Sequence, residues 1–248
     1  MGQELLGPNQ FPTLRGMSGL SGSMFGVTAD GLPSIRGAMG ISTPIGFSLG
    51  NLIFDIGGAT KSYDDQPVFP NFNERHRNNL SSGNAQLMGG VKTPVGDLTV
   101  GGNWLSAGLD SILNLQLQAP IKWDRGGISI GCQNLFNRPE AAFDGSPYER
   151  DLSRSEYIVG TYEVTPGAYV TLGKGDVRFK GVFGSACANL TQNTKAVAEY
   201  DTFGWNAGLA YSLGRVRWIG GSFQHNETTL FAGFLGGDRC TVGLNLVF

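Results

Sequence analysis

The chain has 248 residues, 39 of them glycine, with 15% charged and 10% aromatic residues and a net charge of −2. So little charge beside that many aromatics excludes a disordered chain, and the near-neutral balance offers no general attraction to nucleic acid. The longest apolar runs are stubs such as Leu52-Ile53-Phe54 and Leu246-Val247-Phe248, far short of the ~18 residues a membrane-spanning helix needs.

Cys132, Cys187 and Cys240 lie far apart, with no CxxC and no neighbouring His. Neither a zinc site nor a redox pair is expected, and an odd count leaves a free thiol. Met1-Gly2-Gln3-Glu4 lacks the basic and apolar regions of a signal peptide. A cytosolic protein and a mature, processed form both remain open on that ground.

In chain order, residues 1–19 carry Pro8 and Pro12 and read as an irregular segment, either a plug or a periplasmic tail. Strands are expected at about 20–28, 33–42, 47–58, 84–92, 97–106, 110–119, 127–135, 156–172, 176–188, 200–213, 216–225 and 239–248. The period of two is clearest where Leu98, Val100 and Trp104 alternate with Thr99, Gly101 and Asn103. It recurs where Leu113, Leu115 and Leu117 alternate with Asn114, Gln116 and Gln118, and where Trp205, Leu209, Tyr211 and Leu213 alternate with small or polar residues. One face is apolar. The other is Gly, Ser, Asn, Gln and Thr rather than Lys and Glu, which suits a crowded wet interior better than a water-facing sheet.

Thr43-Pro44-Ile45-Gly46 and Thr93-Pro94-Val95-Gly96 each follow a similar apolar stretch and read as a repeated hairpin turn. Pro120 to Gly126, Gly173 to Asp176 and Gly214-Arg215 are further turns. Long links are expected at 59–83, 136–155, 188–199 and 226–238. In a meander these fall at one end and the tight turns at the other.

Long loops at one end, tight turns at the other, an even strand number and a last strand ending in an aromatic resemble bacterial outer-membrane β-barrels. The resemblance covers residues 20–248 and implies an all-β fold: a transmembrane antiparallel up-and-down β-barrel of about twelve strands. It places the protein in the outer membrane, with the lipid bilayer and the barrel-assembly machinery as partners. Val242, Leu244, Leu246 and Phe248 match the C-terminal pattern that this machinery reads in that family. An envelope protein partner or a homo-oligomer stays open, and no cofactor is expected.

Phase puts Ile35, Met39, Leu52, Phe54, Leu87, Val91, Phe179 and Phe183 outward, with Trp104, Tyr162, Trp205, Tyr211, Trp218 and all three Cys. The same phase turns Arg36, Asp55, Lys92, Glu163, Arg178, Lys180 and Arg217 inward as pore-lining candidates. Their basic excess favours anions if a channel is open. If Glu163 pairs with Arg178 or Lys180, they close the lumen instead.

His76 and His225 lie near Asp64, Asp65, Glu74 and Glu227, but nothing fixes them beside a nucleophile, so no enzyme is expected. Asp64-Asp65 lacks calcium-ligand spacing. The sequons at Asn79, Asn189 and Asn226 are short enough to recur by chance in polar loops. Two functions follow. One is a passive channel for small solutes; the other is a plugged structural or assembly barrel that docks an envelope component through its long loops or its N-terminal segment. The phase further predicts that Leu244→Arg blocks folding into bilayers while Asn245→Arg is tolerated.

Overall fold

The computed structural model describes residues 18–50, 54–62, 81–105, 111–121, 123–136, 154–214, 217–218, 223–224, 227–236 and 239–248. Its strands are β1 (Phe54–Ser62), β2 (Ser81–Thr93), β3 (Gly96–Leu105), β4 (Ser111–Gln118), β5 (Gly126–Gln133), β6 (Ser155–Thr165) and β7 (Ala168–Gly175). They continue with β8 (Gly181–Asn189), β9 (Thr194–Tyr200), β10 (Trp205–Gly214), β11 (Arg217–Trp218), β12 (Phe223–Gln224), β13 (Glu227–Leu235) and β14 (Arg239–Val247). All but β11 and β12, which pair with each other, form one closed antiparallel barrel of twelve strands. Pairing of β1 with β14, from Asp55↔Val247 to Lys61↔Thr241, shuts the ring and leaves no open edge.

The two faces differ as the alternation requires. Leu87, Trp104, Ile130, Ile158, Tyr162, Val170, Leu172, Trp205, Leu209, Tyr211, Val242 and Leu244 are exposed on the outside. Gln86, Thr99, Asn103, Asn114, Gln116, Ser129, Gln133 and Asn245 are buried on the inside. An apolar outer wall on a closed barrel is the arrangement that satisfies every backbone group within hydrocarbon.

What fills the inside departs from expectation. Residues 18–50 contain no strand; turns and isolated bridges such as Val27↔Ala38 and Ser23↔Gly40 shape them instead. The boundary expected after residue 19 therefore moves. The segments 20–28 and 33–42 are not barrel strands, and the first barrel strand begins at Phe54. Ile35 and Met39, expected to face lipid, are buried at 5% and 0% exposure within the lumen. The physical reason is that an enclosed plug needs the same local chemistry as a strand: apolar residues for burial and small ones for close packing. Thr93 to Gly96 does turn a hairpin, between β2 and β3, whereas Thr43 to Gly46 is part of the plug.

The other differences lie in the second half. The stretch 156–172 breaks at Pro166-Gly167 into β6 and β7, 188–199 holds β9, and 226–238 holds β13. The described residues of 216–225 form the two-residue strands β11 and β12, which pair with each other outside the barrel. Three expected strands fall away and three unexpected ones replace them, so the number twelve is reached by cancellation. A 3-10 turn at Val177–Phe179 precedes β8 and sets its phase: Phe183, Ser185 and Cys187 point inward and Phe179 is fully buried. Phe179, Phe183 and Cys187 were expected outside. Cys240 is exposed, as expected, whereas Cys132 shares the outward phase of Ile130 but is buried.

The segregation of links expected at the two ends holds only in part, because β7–β8, β9–β10 and β13–β14 are short links at the same end as the two longest. The links β2–β3, β6–β7 and β8–β9 are short and lie at one end; the long links β1–β2 and β5–β6 lie at the other. The link from β10 to β13, which carries β11 and β12, is a longer one at the tight-turn end.

Plug and wall meet backbone to backbone at Gly46. A Cβ there would lie 2.4 Å from the Gly127 carbonyl oxygen and 2.7 Å from the Thr161 nitrogen, which no real side chain tolerates. Gly46→Ala is expected to lower the urea stability of the folded barrel by about 1–3 kcal/mol. Gly160→Ala is the control: it faces outward on β6, its nearest neighbours lie at 3.9 Å, and it should be near neutral.

Candidate functional site

The site is the filled lumen, and the plug is held there differently by its two walls. The β2–β6 wall is polar and reads the plug backbone. Gly46 N donates to Thr161 Oγ1 at 2.7 Å, Ser129 Oγ to the Gly46 carbonyl at 3.0 Å, and Leu49 N to Thr99 Oγ1 at 2.9 Å. Gln116 Nε2 spans the Ile45 and Phe47 carbonyls at 3.0 Å each. Nearer the start of the plug, Asn114 Nδ2 donates to the Gly19 carbonyl at 3.0 Å and Gln133 Nε2 to that of Ser18 at 2.8 Å. The uncharged amide and hydroxyl side chains anticipated for a wet interior thus substitute for strand neighbours, because an irregular buried backbone must find its hydrogen bonds somewhere.

The opposite wall is mainly apolar. Cys187, Val197, Ala210, Phe231, Leu235 and Val247 form one cluster with Met24, Phe25, Val27, Met39, Ile41 and Phe47 of the plug. Four charged residues with no exposure interrupt it: Arg178, Lys195, Glu199 and Asp201. Glu199 accepts from the backbone nitrogens of Ile41 at 2.7 Å, Ser42 at 3.0 Å and Thr43 at 3.0 Å. It also accepts from Ser42 Oγ and Thr43 Oγ1, both at 2.8 Å, and from Asn206 Nδ2 at 2.9 Å. Arg178 donates to Ser42 Oγ at 3.0 Å and to the carbonyls of Ser42 and Asp201 at 3.3 and 3.2 Å. Its guanidinium lies over the rings of Phe179 and Phe203. Lys195 Nζ donates to the Gly167 carbonyl at 3.2 Å and lies 3.8 Å from Cys187 Sγ.

Of the pore-lining candidates whose side chains are described, Arg178 is the one brought against plug residue Ser42. Arg36 and Lys180 are exposed, and Lys92 is exposed opposite Asp97 at the tight-turn end. Glu163 is half-buried and accepts from Gly167 N at 2.8 Å. The side chains of Asp55 and Arg217 lie outside the described residues, as do Asp64, Asp65, His76, Asn79, His225 and Asn226. Sequence reasoning missed Lys195, Glu199 and Asp201. Lys195, Val197 and Glu199 do alternate with Ala196, Ala198 and Tyr200, but two alanines on the outer face hide the strand.

At the tight-turn end a cavity of about 680 Å³ opens between the plug and β2–β7, with Asp30, Lys92, Asp97, Trp123, Asp124 and Glu163 in its lining. Among the described residues no group of three His, Cys, Asp or Glu gathers as a metal site needs.

No family model matches the chain, and no curated protein does. Among solved structures it is similar to a KdgM porin in complex with disordered oligogalacturonate, at 10% identity and TM-score 0.47, covering 79% of this chain and 98% of that one. A second KdgM porin structure matches at 12% identity and TM-score 0.43, over 78% of this chain and 98% of the other. An outer membrane channel from Pseudomonas putida F1 matches at 11% identity and TM-score 0.36, over 83% and 97%. The barrel assignment itself rests on the strand pairing and the two faces described above.

Proposed function

We propose that the protein is an outer-membrane channel-type barrel whose lumen is closed by its own residues 18–50. The observation that carries this reading is the burial of the plug between two walls, each bonded or packed to it. A passive open pore has a water-lined interior; here the described inward side chains of β2–β6 hydrogen-bond the plug, and those of the opposite wall pack on it. Conduction therefore requires the plug to move. The chain reaches the bilayer by the barrel-assembly route, with the alternating residues Val242, Leu244, Leu246 and Phe248 as the recognised segment.

The tight-turn mouth presents Asp30, Asp97, Asp124 and Glu163 around Lys92. That balance favours cation entry over the anion preference expected from the seven lining candidates. Reversal potential in a salt gradient measures which sign holds.

The test is planar-bilayer conductance of the detergent-refolded protein, full-length and with residues 1–50 deleted. The full chain should be closed for most of the record, and the deletion should give stable unitary steps. Continuous conductance from the full chain would overturn the plugged reading. The apolar cluster joining plug and wall favours a second reading, a permanently filled barrel with a structural or docking role. Silence from both proteins, once each is confirmed inserted and β-rich, would select it.

A further inference from the structure

We infer that Glu199 is a single-point latch: losing its carboxylate frees plug residues 40–43 while residues 45–49 stay bound to the β3–β6 wall. The inference rests on the plugged-channel reading and concerns how that plug is released.

Three successive backbone N–H groups, those of Ile41, Ser42 and Thr43, converge on one carboxylate. Consecutive amides turned to one side make a concave anion site, and here the anion is part of the barrel wall. The hydroxyls of Ser42 and Thr43 complete the shell from the plug, and Asn206 on β10 completes it from the wall. Gly40 permits the turn. A Cβ at that position would fall 2.6 Å from the Thr43 carbonyl and 3.2 Å from Glu199 Oε2. Arg178 backs the latch by binding Ser42.

The second anchorage is built on the opposite principle. Residues 45–49 are held by Thr99 on β3, Gln116 and Gln118 on β4, Ser129 on β5 and Thr161 on β6. These are five neutral groups spread over four strands, so removing any one leaves the others. Removing the Glu199 carboxylate strips three buried N–H groups and two hydroxyls of an acceptor in one step, and unsatisfied buried donors are costly. Besides Glu199, this wall is tied to the plug through Arg178 and Asp201 at Ser42, Cys187 at the Met39 backbone and Asn245 at the Met24 carbonyl. Most of these meet at the same turn.

Cys187 supplies a native reporter. It is 6% exposed, faces the lumen and packs in the cluster that includes Met39. With Cys132 and Cys240 replaced by alanine, labelling of Cys187 by a small water-soluble maleimide measures access past the plug without needing current. Glu199→Ala is expected to speed labelling at least about tenfold over the parent, with Glu199→Gln between them. Thr99→Ala, on the other anchorage, should change it less than about twofold. Labelling of inserted Glu199→Ala no faster than the parent would overturn the latch, as would Thr99→Ala labelling as fast as Glu199→Ala. Should Glu199→Ala fail to insert, Glu199→Gln, which keeps one acceptor oxygen, carries the same comparison. Faster labelling without conductance would leave the latch standing and sink the channel reading.

Discussion

Leu244→Arg is expected to abolish stable insertion, or to lower the folding free energy into bilayers by about 2–4 kcal/mol, the cost of Arg on a lipid face near the midplane. Leu244 lies in the middle of β14, opposite Gly58 on β1 and Leu230 on β13, and points outward with 38% exposure. The strand that carries it also closes the barrel, so the penalty falls where no other strand can take over the pairing. Urea titration of refolding into vesicles reads the effect. A loss under about 0.5 kcal/mol would mean that this face does not meet hydrocarbon.

The neighbouring substitution separates a filled lumen from a wet one. Alternation alone predicts that Asn245→Arg is tolerated, because the residue points inward. Inward is correct, but tolerance does not follow. Asn245 has no exposure, takes a hydrogen bond from Gln86 Nε2 at 2.9 Å and donates to the Met24 carbonyl at 3.2 Å. An arginine there meets plug rather than water. Both substitutions harm the protein, one through lipid and the other through the plug.

That distinction also marks how far the sequence could be read. β2 to β5, β10 and β14 were legible because their inner faces carry Gln, Asn, Thr, Ser and Gly while their outer faces carry Leu, Ile, Trp and Tyr. In β2 to β5, and at Asn245 of β14, this contrast lies where the wall hydrogen-bonds the plug backbone. β9 was hidden by Ala196 and Ala198 on the outside, and β8 was read in the wrong phase because Phe183 and Cys187 are apolar and inside. The plug was mistaken for strands for a related reason. Glycine with apolar residues is what a close-packed irregular core and a lipid-facing strand have in common. No local pattern in residues 18–50 tells whether the apolar side chains meet lipid or one another; only the closure of the barrel around them decides it. Glu199 could not be singled out as long as residues 188–199 read as a loop.

β13 shows the consequence most directly. Phe231 faces inward with 1% exposure, and its ring lies where Cβ atoms on Gly208 and Gly233 would be. Phe234 faces outward with 54% exposure. A strand apolar on both faces has no period of two, which is why it passed for a loop. It also has two different solvents, lipid outside and a protein core inside, so equal truncations should have unequal costs. Phe231→Ala leaves a cavity between wall and plug and is expected to cost about 3–5 kcal/mol. Phe234→Ala removes contact with a fluid phase that closes over the gap, and should cost roughly 1–2 kcal/mol, the transfer term alone. Denaturant midpoints of the two variants in one lipid give the comparison. Were the lumen wet, Phe231 would be the cheaper residue to lose, and the order of the two midpoints would invert.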